Sequence, residues 1–222
     1  MQSETLLPEQ LATEIGQGCD RLGLSLDVAT IDRLARLVLL LEKWNRIYSL
    51  TAVRDPRAMV TRHILDSLVV LPWLNGVTLI DVGTGAGLPG LPIAIARPDC
   101  RVTLLDSNAK KLRFVRQAAS ELGLDNVEVV QQRMQEYRPA QAFDMVISRA
   151  VATIADLYQQ TVHLVRPGGR MLFLKGAVPS AEIESFELRE RLAVEPLQVP
   201  GLDAERHLVW LDTQQEVESI QS

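Results

Sequence analysis

The sequence predicts an α/β fold: a seven-stranded, mostly parallel sheet covered by helices, ending in an antiparallel hairpin and preceded by an N-terminal helical extension. Three observations carry that expectation. From Val77 to Lys175 short apolar runs alternate with helical periodicities, the texture of strands buried on both faces and joined by crossover helices. The stretch "IDVGTGAGLPGLP", Ile80 to Pro92, follows the first of those runs with a cluster of glycines, as at a strand-to-helix turn. The last two runs, Ala193 to Val199 and His207 to Thr213, flank a loop containing Pro200 and Gly201 and read as a hairpin rather than another crossover.

The elements follow in order. Asp27 reads as the N-cap of a helix in which Ile31, Leu34, Ala35, Val38, Leu41, Trp44 and Tyr48 keep the helical period. A second helical stretch, Arg57 to Leu71, runs until Pro72 stops it. Residues 1–75 therefore form a helical cap, expected to pack as one unit with the domain at 76–222. The parallel strands are expected at Thr78 to Val82, Arg101 to Asp106, Val127 to Gln131, Asp144 to Ser148 and Arg170 to Lys175. Between them fall helices at Leu91 to Arg97, Ala109 to Leu122 and Ile154 to Val165, with a short one near Met134 to Tyr137. In "RPGG", Arg166 to Gly169, Pro167 and Gly168 are expected to end a helix and turn the chain into the fifth strand.

Composition narrows the function classes. A chain of 222 residues with 47% apolar residues is long enough for a real core and is ordinary globular material. The longest clean apolar runs, such as Leu37 to Leu41, are too short to cross a bilayer, and no signal pattern precedes Pro8. Cys19 and Cys100 lack CxxC or Cys/His spacing, which argues against a disulfide frame and against a metal site. A cytosolic protein is expected. The net charge of −5 is uneven, because residues 179–222 carry ten acids and three arginines. Basic clusters remain at Lys43 to His63 and Arg101 to Arg116, so local anion-binding surfaces coexist with an acidic total.

The glycine stretch fits two fingerprints, G-x-G-x-G from Gly83 and G-x-G-x-x-G from Gly85 to Gly90. Either way Gly83, Gly85 and Gly87 let the backbone approach a ligand and aim amides at it. Asp81 discriminates, since a carboxylate at the mouth of the turn repels a pyrophosphate and suits a ligand with an amine and a sulfonium. Asp106, at the end of the second strand and 23 residues after Gly83, can accept both hydroxyls of a ribose. S-adenosylmethionine is therefore favoured over NAD, and the fold becomes the Rossmann-like class I S-adenosylmethionine-dependent methyltransferase fold. An NAD-dependent oxidoreductase and a non-catalytic RNA-binding assembly factor remain as alternatives.

Beyond the glycines, the stretches "KWNRIYSLTAVRDP" (Lys43 to Pro56), "RHILDSL" (Arg62 to Leu68), "LLDSNAKKLRFV" (Leu104 to Val115), "ISRA" (Ile147 to Ala150) and "ERHLV" (Glu205 to Val209) resemble the RsmG, or GidB, methyltransferases. The resemblance runs from about Leu24 to Leu211, with Ser49 where the family usually has asparagine. It implies transfer of a methyl group from S-adenosylmethionine to N7 of a guanine in 16S rRNA, by a monomer acting on the small ribosomal subunit or its precursor. It also implies that Gly83 and Leu88 touch the cofactor, that Met134 and Gln135 flank its adenine, and that Arg149 lies against it. Arg149 follows the fourth strand, where ligands of open sheets gather.

Guanine N7 carries a free lone pair, so this chemistry needs no general base, and none is assigned. The sequence agrees in lacking an Asn-Pro-Pro-aromatic stretch after Asp144 and a Pro-Cys pair, Cys100 following Asp99. Arg149 is left as an orienting residue. RNA phosphates are expected to meet Arg54, Arg57, Arg62, His63, Lys110, Lys111, Arg113 and Lys175.

Overall fold

The structure, a computed structural model, describes residues 8–149 and 152–214. Residues 1–7 of the expected cap, Ala150 of the "ISRA" stretch and residues 215–222 lie outside the described residues.

Helix α1 (Pro8–Arg21) buries Leu11, Ile15, Gly18 and Cys19. Helix α2 (Val28–Tyr48) begins where the Asp27 carboxylate accepts the Thr30 amide at 2.7 Å, satisfying a donor the first turn leaves open. It ends at Ser49, which sits in the left-handed region (φ 49°) and donates its amide to the Asn45 carbonyl. Asparagine adopts that conformation more readily than serine, so the departure from the family's usual residue falls at a position with a backbone demand. The Asn45 side chain then pins the following loop, donating to the Val53 carbonyl (2.9 Å) and accepting the Thr51 amide (2.8 Å).

The stretch expected as one helix from Arg57 to Leu71 is four pieces: α3 (Pro56–Met59), a π-helical turn Val60–Leu65, α4 (Asp66–Leu68) and a 3₁₀ turn Leu71–Trp73 that contains Pro72. The Ser67 hydroxyl takes up the His63 carbonyl at 2.5 Å inside the irregular segment. The π-turn fits an extra residue into the helix, as often happens at functional positions, and here it leaves His63, Asp66 and Ser67 all buried.

Strands β1 (Thr78–Val82), β2 (Arg101–Asp106), β3 (Val127–Gln131), β4 (Phe143–Arg149) and β5 (Val165–Lys175) are parallel; β6 (Ala193–Pro196) and β7 (His207–Asp212) close the sheet as an antiparallel pair. Helices α5 (Gly90–Ala96), α6 (Ala109–Glu121) and α7 (Ile154–Thr161) lie between the parallel strands, and α8 (Ser180–Glu184) follows β5. The order β3-β2-β1-β4-β5-β7-β6 reverses direction at β1 and β4, which opens a crevice at their carboxyl ends. The face with Leu79, Leu104 and Ile147 packs in one buried cluster with Leu11, Leu34, Ile64, Leu91 and Leu112. The opposite face, with Ile80, Val146 and Phe173, packs against Ile154, Leu157 and Phe186. No helix among the described residues is long and apolar enough to cross a membrane.

Three local expectations are corrected. Met134 to Tyr137 is a turn in which Glu136 and Tyr137 both donate to the Arg133 carbonyl, too short for a helix before Pro139. Helix α7 ends at Thr161, and a 3₁₀ turn Val162–Leu164 leads into β5. The "RPGG" residues lie inside β5, where pairing jumps from Phe143–Val165 to Met145–Arg170; Pro167 has no amide to offer the ladder, and a bulge asks for none.

Candidate active site

The turn after β1 is held from two sides by carboxylates. Asp106 Oδ2 accepts the Gly85 amide at 2.8 Å and Oδ1 accepts the Asn108 amide at 2.7 Å. Asn108 in turn caps α6 through the amides of Lys110 and Lys111, so one side chain ties the glycine turn to the next helix. Gly85 stands at φ 58°, and a Cβ there would make ordinary contacts with Lys111 Nζ (3.7 Å), Lys111 Cδ (3.9 Å) and the Gly83 carbonyl (3.9 Å). The left-handed backbone there is the conformation that favours glycine at a close approach.

Asp81 was expected at the mouth of this turn and is instead beneath it, 1% exposed. Its Oδ2 accepts the Thr84 hydroxyl (2.6 Å) and the Gly90 amide (2.9 Å), while Oδ1 is buried with no hydrogen-bond partner among the described residues. Burial pushes its carboxyl up to about 6 against the opposing pull of Thr84 and Gly90. The close fit depends on Gly90, where a Cβ would collide with the Leu104 side chain and the Asp81 carboxylate. Gly87 likewise packs on Leu91 and does not line the cavity above.

That cavity, of about 570 Å³, lies over the carboxyl ends of β1 and β2. The structure brings Gly83, Gly85, Leu88, Asp106, Met134, Gln135 and Arg149 to its walls. Lys111, expected on an RNA-facing surface, lines it as well, as do Ser107, Gln132 and Arg133 after β2 and β3. The helical region closes it with Leu50, Thr51 and His63.

His63 was expected to meet RNA from the surface but is buried. Its Nδ1 is 2.9 Å from the Arg62 carbonyl and its Nε2 is 2.9 Å from the Thr51 hydroxyl, so the geometry assigns the proton to Nδ1, with Nε2 accepting from Thr51. Desolvation, aided by the Arg149 charge, pulls its ionisation down to about 4, leaving a neutral ring at ordinary pH.

A second cavity of about 370 Å³ adjoins the first, sharing His63 and Arg149. Asp66 forms its centre: a carboxylate with 3% of its side chain exposed, gripped by Arg149 Nη1 at 2.9 Å and by Arg206 Nε at 2.6 Å. Lys175 reaches it while donating to the Ala152 carbonyl and Glu182 Oε2, both at 2.9 Å. Arg62 stands at the same cavity. Asp66 and Arg206 were not singled out from the sequence. The available signal was an acid inside an apolar helical stretch, but its pairing partner lies 140 residues away.

The remaining basic residues are not gathered here. Arg57 pairs with Glu14 at 3.3 Å, Arg54 faces a separate cleft with Glu42 and Arg46, and Lys110 and Arg113 are exposed on α6. Trp44 stacks on Tyr48 at 5.2 Å and packs against Phe114.

The family described as "GidB: rRNA small subunit methyltransferase G" matches residues 30–209. Proteins called "Ribosomal RNA small subunit methyltransferase G" are similar across most of the chain. The one from Aromatoleum aromaticum is 50% identical over 90% of this chain and 98% of its own. The one from Alkalilimnicola ehrlichii is 46% identical over 94% and 93%. Among solved structures, the S-adenosylmethionine-dependent methyltransferase SibL superposes with a TM-score of 0.58 at 17% identity, covering 93% of this chain and 75% of that one. A SAM-dependent methyltransferase from Aquifex aeolicus gives 0.53 at 18% identity, covering 71% and 93%. Both show a shared fold.

Proposed function

Because the chain belongs to the GidB family, rRNA small subunit methyltransferase G, we propose that it transfers the methyl group of S-adenosylmethionine to N7 of a guanine in 16S rRNA, within the cleft over β1, β2 and β4. The observation that carries the reading is that cleft: a left-handed glycine turn at Gly83 and Gly85, beside a carboxylate, Asp106, at the end of the neighbouring strand. The residues fit the cofactor. Asp106 keeps lone pairs for ribose hydroxyls after accepting two amides, and the unpartnered Asp81 Oδ1 supplies negative charge behind the turn. Gly83, Gly85, Leu88, Met134 and Gln135 would hold the remainder. Bound there, the cofactor supplies a methyl carbon made electrophilic by its sulfonium.

The chain's task is then alignment. Correct placement of reacting groups is worth about 7–11 kcal/mol, and a lone pair such as N7 presents no proton to remove. The lining agrees: both ring nitrogens of His63 are engaged, both oxygens of Asp106 hold amides, and Arg149 is a cation held by Asp66 and suited to orienting the acceptor. The helices of residues 1–75 and the domain at 76–222 work as one unit in this proposal, because Thr51 and His63 complete the cleft. The protein acts as a monomer on the small subunit or its precursor, with exposed Arg54, Lys110 and Arg113 contributing phosphate contacts at its surface.

The test is incubation with methyl-labelled S-adenosylmethionine and small-subunit RNA from cells lacking this enzyme. Label on a single guanine, with strand scission at that base after borohydride and aniline treatment, is the expected result. Transfer to another atom, or no transfer, overturns the proposal.

A further inference from the structure

We propose that the smaller cavity beside the cleft is a phosphate receptor: it takes the phosphodiester adjoining the target guanosine, held by Arg62, Arg206 and Lys175, while the base itself enters the larger cleft. This rests on the RNA-methyltransferase reading above and adds to it a defined subsite for one backbone group.

Charge is the first argument. The cavity presents Arg62, Arg149, Lys175 and Arg206 against a single lining carboxylate, Asp66. That carboxylate already serves two guanidiniums, at 2.9 Å and 2.6 Å, and Lys175 is offset by Glu182. Arg62 has no side-chain partner among the described residues. An excess of partly desolvated positive charge favours an anion. A neutral base would leave that excess unneutralised.

Preorganisation is the second argument. Arg149 at the end of β4 and Arg206 just before β7 both come from the second half of the chain, yet Asp66, from the first half, holds both while leaving each with free N–H groups. A guanidinium carries five donors in a fixed fork, so the bond to Asp66 orients it without exhausting it. Asp66 is thus a positioning residue for two arginines. Position is the third argument. The cavities share His63 and Arg149, so a group in the smaller one lies immediately beside a group in the larger, as a phosphate lies beside its own nucleoside. Phosphate contacts fix register without reading sequence, which is what a single-nucleotide target requires.

The experiment pairs a short RNA substrate, carrying one neutral methylphosphonate linkage at successive positions, with wild-type protein, Arg62→Ala and Arg206→Lys. With native RNA, Arg62→Ala should raise KM about tenfold, the size of one lost charge-assisted contact, with kcat changed far less. It should also lower the salt slope of single-strand binding by about 0.7. The neutral linkage next to the target guanosine should raise the wild-type KM similarly and abolish the difference between wild type and Arg62→Ala. Arg206→Lys should show the same coupling in weaker form. If no linkage couples to either arginine, or only linkages remote from the target do, the receptor assignment is wrong. Wild-type protein that methylates none of these RNAs would instead overturn the methyltransferase reading, so the two failures are distinct.

Discussion

The two adjoining cavities are built by opposite means. The larger has a floor of backbone, a left-handed glycine turn and amides clasped by Asp81 and Asp106 within one β-α-β segment, with side chains from the helical region and from the ends of β3 and β4 completing its walls. The smaller is framed by charged side chains from the irregular helix, β4, β5 and the loop before β7, with Asp66 and Arg206 separated by 140 residues. A site made of backbone is a local property of a short stretch, whereas a site made of charge exists only once the sheet has closed. Damage should therefore spread differently through the two.

The largest effect is expected for Asp66→Ala, which removes one carboxylate from two partly buried guanidiniums. Stripping a partner from such a cluster costs about 3 kcal/mol, readable as a lowered denaturant midpoint. RNA affinity should fall with it, while cofactor affinity by calorimetry shifts less than about threefold, under 1 kcal/mol. An equal loss of both affinities would show that the two cavities behave as one site.

His63, in the shared wall, tests the boundary by pH. Its ionisation is depressed from 6.5 to about 4 in the folded protein. The unfolded chain therefore binds a proton that the native state refuses, and the contribution to stability present above pH 6.5 is lost as pH falls toward 4. Between pH 6.5 and 5 wild type should lose about 2 kcal/mol relative to His63→Gln. Asp81 acts in the opposite sense, because its raised carboxyl, about 6, relieves a buried charge as pH falls below that value. Comparing wild type with His63→Gln cancels the Asp81 contribution. A constant difference across the range would mean that the ring is solvated.

The smallest effect is expected for Asp106→Ala. It removes the acceptor of the Gly85 amide and should weaken cofactor binding about tenfold, near 1.4 kcal/mol, with RNA affinity unchanged. A matching loss of RNA affinity would break the separation between the backbone-built and charge-built cavities.

Much of the fold was legible because its signals are local. The bounds of β1, β2 and β3 and the Asp27 cap follow from apolar runs and one capping side chain. The helix expected at Arg57 to Leu71 was misread because a 3.6-residue period cannot register a π-turn whose residues are buried on nearly every side. The "RPGG" bulge was misread for a similar reason, since proline and glycine mark a break without stating whether a helix or a strand is broken.

Asp81 and Asp106 give the same lesson at the site. Spacing alone placed both carboxylates near the glycine turn, because each lies near the carboxyl end of one of two neighbouring parallel strands. Which one lines the cavity and which lies beneath the turn depended on the approach that Gly90 allows to Asp81. Residue order was thus enough for the strand-turn-helix framework, its glycines and a cofactor class, since those obey short-range sterics and hydrogen bonding. The neutral state of His63, the burial of Asp81 and the joining of Arg149 to Arg206 through Asp66 came only with folding. Desolvation and ion pairing act through distances in space, and linear order does not record those distances.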